Sequence, residues 1–297
     1  MIRVSEMTIP SIHSAGRSLL KACAQGSLSS VKTYAPQLYT TAGIDKRTIP
    51  PLRLAIATAA ENGHSNILRY FFTNLPQCQQ STDPWNPTID IEDREIPEEW
   101  QSAVLPDLVV LRTVQASKPA AFQTLMDFGL PVNHPMDKIG SPLTVAIQRQ
   151  DVEMVRFLLS KGADANDIYW IPFDSVLARA ASLPSLEIVN LLLQHGANVQ
   201  SSNALKGAAE CGRINAATIL LEHGADINQV FRHDLYDDDD PRDIIGTALH
   251  VAVQHDQQDF VRYMLQRGAR TDLADGEGLT PRQLALAQGK TEMVKLL

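Results

Sequence analysis

One internal repeat constrains this chain more than any other feature. Segments 151–166, 185–200 and 213–228 can be laid under one another almost position by position. Each carries a leucine pair (Leu158-Leu159, Leu192-Leu193, Leu220-Leu221) and closes on Gly162-Ala163-Asp164, Gly196-Ala197-Asn198 or Gly224-Ala225-Asp226. Weaker closures stand at Gly129 and Gly268, and the spacing from Gly129 to Gly162 to Gly196 is about 33 residues each time. A unit this short cannot bury an apolar face alone, so copies must stack and share one elongated core.

The residues of the unit read as two helices. Upstream of the glycines lie Ser141-Pro142-Leu143-Thr144-Val145-Ala146, Gly246-Thr247-Ala248-Leu249-His250-Val251-Ala252 and Thr280-Pro281-Arg282-Gln283-Leu284-Ala285. A hydroxyl at the cap and proline at the first helical position start a helix abruptly. Ala146, Ala180, Ala208, Ala252 and Ala285 are small where the two helices of one unit meet, and Ile188 and Val189 extend the leucine stripe of a second helix. The closing glycine accepts the left-handed conformation that ends that helix. Residues 18–31 and 51–72 read as two weaker helix-turn-helix copies.

These motifs resemble the ankyrin-repeat family, whose T-P-L-H-x-A signature the three upstream segments approximate. The resemblance implies an all-α solenoid of about eight helix-turn-helix units over residues 15–297, after a tail of residues 1–14, with two long insertions. It also implies structural roles for His64, His195, His223 and His250, the last as a hydrogen-bond partner of loop backbone.

The insertions are 76–106 and 229–245. The first carries Trp85, Trp100, five prolines and the acidic cluster Glu92, Asp93, Glu95, Glu98 and Glu99. It reads either as a functional loop or as a cover for apolar surface left by the irregular second repeat. The second carries Phe231, Arg232, His233, Tyr236 and Asp237 to Asp240, and is expected to project from the finger side of the stack. The turn at 167–174 adds Tyr169, Trp170 and Phe173 where a polar turn is usual, an aromatic density typical of contact surface.

Aligning the copies on their glycines places Asp107, Gln115 and Ala116, then Gly140, Gln148 and Arg149, then Asp174, Ser182 and Leu183, then Ser202, Glu210 and Cys211, then Gly246, Gln254 and His255 on the inner surface. Arg149, Asp174, Glu210 and His255 are expected to form a polar cluster there, walled by Tyr169, Trp170 and Phe231, with Trp85 and Trp100 on the long loop near it. The cluster suits a protein partner; a small-molecule site, even one for cofactor-free cyclisation or isomerisation, is the alternative.

Composition narrows the field. With 44% hydrophobic and 20% charged residues, the 297-residue chain can bury a sizeable core, and aromatics at only 6% favour packed helices over sheet. A formal charge of −8 without a basic patch argues against nucleic acid. Cys23, Cys78 and Cys211 lie too far apart for a zinc site or a disulfide framework, and the aspartate run lacks the ligand spacing of a calcium loop. No nucleophile, metalloprotease, phosphate-loop or dinucleotide motif occurs, so the expectation is a non-catalytic module without cofactor or metal. No apolar run is long enough for a signal peptide or a membrane span, which points to a soluble, monomeric, cytoplasmic or nuclear protein. The chain closes on Met293, Val294, Leu296 and Leu297, an apolar helix face expected to be the weak end of the stack or to lie under another chain.

Overall fold

The computed structural model describes residues 9–41, 49–86, 107–136, 139–168, 174–232 and 244–297. Two compact units emerge, Met1–Asp137 and Lys138–Leu297. In the first, α1 (Ile9–Gln25) packs on α2 (Leu28–Tyr39), α3 (Leu52–Glu61) on α4 (Ser65–Asn74), and α6 (Leu108–Gln115) on α7 (Pro119–Asp127). The short α5 (Pro76–Gln79) follows α4, within the first insertion. Helices α3 and α6 lie side by side, and fully buried Leu19, Val31, Ile56, Phe71, Phe122 and Leu125 run through the unit as one apolar seam.

The second unit holds five helix pairs. They are α8 (Pro142–Gln148) with α9 (Val152–Ser160), α10 (Val176–Ser182) with α11 (Glu187–Gln194), α12 (Ala204–Glu210) with α13 (Ile214–Glu222), α14 (Ala248–Gln254) with α15 (Gln258–Gln266), and α16 (Pro281–Ala287) with α17 (Thr291–Leu296). Between α13 and α14 the strands β1 (Phe231–Arg232) and β2 (Ile244–Gly246) pair antiparallel, Phe231 opposite Gly246. Leu158, Leu192 and Leu220 have no exposed surface, and each buried leucine contributes roughly 1.5–3 kcal/mol. The five alanines expected at helix contacts are likewise fully buried.

Local chemistry starts and stops the helices as the motif requires. Ser141 Oγ accepts from the Thr144 N–H at 3.3 Å, Ser175 Oγ from Ala178 at 3.0 Å, and Thr280 forms a reciprocal capping box with Gln283. Gly129, Gly162, Gly196, Gly224 and Gly268 all have φ between +85° and +99°, where a β-carbon is costly.

Two sets of hydrogen bonds tie one repeat to the next. At the turn between the two helices of a unit, a side chain reaches back to carbonyls at the C-terminal end of the preceding inner helix. Arg213 Nε donates to Ser182 O at 3.1 Å, Gln257 Nε2 to Glu210 O at 3.0 Å, and Lys290 Nζ to Val253 O and Gln254 O at 2.7 and 2.8 Å. In the first unit His64 does the same, its Nε2 lying 3.0 Å from Ala24 O. These are the carbonyls that a helix end leaves without an intrahelical partner. On the finger side, Asn166 Oδ1 accepts from Asn198 N–H at 2.7 Å, the Gln200 amide donates to Gly224 O, and Asn228 Oδ1 accepts from Arg270 N–H at 2.8 Å. The last bond spans the second insertion, so the stack is continuous on either side of it.

Candidate functional site

Of the four polar residues expected to meet at the inner helix ends, two do. Lys206, the third residue of α12, lies with Nζ 3.2 Å from Asp174 Oδ2 and 3.2 Å from Glu210 Oε1. Asp174 directly precedes Ser175, the cap of α10, whose hydroxyl also donates to the Ser202 carbonyl and so fixes one loop against the next repeat. Glu210 stands four residues after Lys206, the spacing at which helix side chains face each other. The lysine is only 13% exposed. Burial pulls its ammonium pKa down, but the Asp174 and Glu210 carboxylates outweigh that effect and hold it above the ordinary lysine value. Sequence reasoning missed Lys206. The available signal was its register: it occupies the place in α12 that His250 occupies in α14.

His250 fulfils its expected role. Its Nδ1 accepts from the Thr247 N–H at 3.0 Å, which leaves Nε2–H to donate to the Leu279 carbonyl at 3.0 Å, so the ring bonds both its own cap and the next repeat. Burial lowers the pKa of this ring, against a smaller opposite pull from the Leu279 carbonyl and Asp275. The neutral tautomer is the one that this pattern needs.

Arg149 and His255 are the residues just past the ends of α8 and α14. Both are exposed, and neither side chain makes an ion pair or hydrogen bond among the described residues. They do not join Asp174 and Glu210 in one cluster. Gln148 and Gln254 beside them are also exposed, as is Cys211 at the end of α12. Leu183 and Ser202 depart from the expectation: Leu183 is buried at the end of α10, and buried Ser202 donates to Val199 O at 2.9 Å.

The expected aromatic wall needs correction. Phe231 is 1% exposed because β1 pairs with β2 and turns this ring into the core, so it presents no face to a partner. Trp85 is 2% exposed and packs edge-on against His134, ring centroids 4.9 Å apart, while His134 Nε2 lies 2.8 Å from Asp107 Oδ1. This arrangement belongs to the first unit. Trp100, Tyr169 and Trp170 lie outside the described residues, as do Glu92 to Glu99 and Asp237 to Asp240. Among the described residues, the large hydrophobics that the second unit exposes on its turns are aliphatic: Ile139 at 38%, Ile168 at 47% and Val230 at 43%.

The inner carboxylates of Asp174 and Glu210 are bridged by one ammonium. Cys23 and Cys78 are buried, with burial pushing both thiols up to about 12. Among the described residues no three His, Cys, Asp or Glu side chains come together as metal ligands, and no helix is long and apolar enough to cross a membrane.

Comparison with known proteins agrees with this architecture. Residues 172–230 and 233–297 match the family model described as Ankyrin repeats (3 copies), and residues 141–168 match the single Ankyrin repeat model. Human Ankyrin repeat and SOCS box protein 11 is 29% identical over 150 residues, 48% of this chain and 44% of that one. Mouse Ankyrin repeat and SOCS box protein 5 is 40% identical over 80 residues, 27% of this chain and 23% of its own. The chain therefore spans less than half the length of these relatives. The crystal structure of the human ASB11 ankyrin repeat domain superposes with a TM-score of 0.50 at 25% identity, covering 63% of this chain and 80% of that one. An ankyrin repeat domain from Acinetobacter baumannii AYE does so with the same TM-score and identity, covering 63% of this chain and 94% of its own. With the motif copies, the stacked helix pairs and family models that together match more than half of its residues, the chain belongs to the ankyrin-repeat family.

Proposed function

We propose that the chain binds a protein partner through its second unit, using the inner helix ends that carry Gln148, Arg149, Gln254 and His255 and the turns that carry Ile139, Ile168 and Val230. Ankyrin repeats generally mediate protein–protein interaction. The observation that carries the proposal for this surface is that Arg149 and His255 stand exposed and unengaged at equivalent places in two repeats, whereas the Asp174 and Glu210 carboxylates are engaged by Lys206. Exposed side chains that serve no internal contact are free to serve an external one. Tyr169 and Trp170 remain in the proposal as sequence-based candidates for the same contact, and Trp100 as a separate sequence-based candidate in the first unit.

Capture from source cells, followed by mass spectrometry of the retained proteins, identifies the partner. Arg149→Ala and His255→Ala are then compared with the parent. Each is expected to change stability by no more than about 0.5 kcal/mol, because neither side chain packs. Removal of a binding anchor costs about 2 kcal/mol, a loss of roughly thirtyfold in affinity. Parental affinity in both single variants and in the double variant contradicts the assignment of this surface.

A further inference from the structure

A second feature of this unit lies between the hairpin and the last inner helix. A cleft of about 240 Å³ is lined by the apolar Ile244, Ile245 and Leu284, by the acidic Asp275 and Glu277, and by Gln254 and Gln288. Its acidic wall is a built loop. Asp275 Oδ1 accepts the N–H groups of Glu277 at 3.0 Å and Leu279 at 2.9 Å, Asp275 N–H donates to Leu279 O at 2.9 Å, and Gly276 N–H donates to Ile244 O at 2.9 Å. The loop is thus closed on itself and fastened to β2.

We infer that this cleft receives one long cationic side chain, a lysine or arginine, from the bound protein. The inference rests on the reading of the second unit as a partner-binding surface and adds to it the chemistry of one contact. Three apolar side chains match a methylene stem, and two carboxylates in the same lining match its charged head. Glu277 is exposed and has no partner among the described residues. Among the described residues the Lys290 ammonium does not compete, since it is engaged by the Val253 and Gln254 carbonyls. Gln254 is also one of the exposed inner residues named above, so the cleft shares a lining residue with the proposed contact surface. A preformed loop lowers the ordering cost of binding.

The test uses the whole chain with isoleucine and leucine methyl groups labelled for NMR, and three probes: N-acetyl-arginine amide, N-acetyl-lysine amide and the uncharged N-acetyl-norleucine amide. Saturable shifts of the Ile244, Ile245 and Leu284 methyls are expected with both cationic probes, while Ile139 and Leu286 stay still. The norleucine probe is expected to bind about tenfold more weakly, and Glu277→Gln to weaken the cationic probes about threefold without altering methyl dispersion. Equal affinity for norleucine amide, absence of saturable shifts up to about 50 mM probe, or an unchanged affinity in Glu277→Gln each overturns the inference. No partner is present in this titration, so its failure leaves the capture experiment standing, and failure of the capture experiment leaves the titration readable.

Discussion

Lys206 and His250 are each the third residue of an inner helix, yet they fasten the stack in opposite directions. His250 reaches forward to the Leu279 carbonyl of the following repeat. Lys206 reaches back to Asp174 in the preceding one, and also binds Glu210 on its own helix. The exchange of an imidazole for an ammonium requires carboxylates nearby, because an ammonium cannot accept the cap N–H that Nδ1 of His250 accepts. Sequence reading found the two carboxylates by aligning copies, but grouped them with Arg149 and His255. It missed the lysine because repeat alignment rewards agreement, and Lys206 is where one copy disagrees. Truncating it strands two largely buried carboxylates, Asp174 at 20% and Glu210 at 32% exposure. We expect Lys206→Met to cost about 1–3 kcal/mol in chemical denaturation, with the partial exposure keeping it below the cost of a fully buried pair. Equal or greater stability in Lys206→Met contradicts this role.

At the scale of elements, the helix starts, the left-handed glycines and the buried alanines were legible, because each follows from local chemistry with a fixed spacing. The hairpin of β1 and β2 was not: two strands this short carry no periodicity, and Phe231 therefore read as a free aromatic. Gly207 shows how a local rule is overridden by packing. It sits inside α12, where alanine is the better helix former by about 0.8–1 kcal/mol. A β-carbon there would overlap the Ala178 carbonyl oxygen of α10, and these two helices pack closely along their length. Gly207→Ala is therefore expected to destabilise the chain by about 1–3 kcal/mol in spite of its higher propensity, read as a lowered thermal midpoint. A raised midpoint would show that α10 and α12 yield easily.

At the scale of the molecule, the eight helix pairs among the described residues agree with the roughly eight units expected from the motif copies, and they fall into two compact units of three and five pairs. The finger-side bond from Asn228 to Arg270 shows how a long insertion is tolerated: the repeats on either side of it still meet. Function was legible only in outline, since the repeat unit fixes a scaffold and not the partner it meets. The most direct test of the proposed contact surface is amide hydrogen exchange of the chain with and without its captured partner. Binding is expected to slow exchange in the second unit at the turns after α8 and α14, residues 148–151 and 254–257, and at the finger turns around Ile168 and Val230. Protection confined to the outer helices α9, α11 and α13, or to residues 9–136, would contradict it.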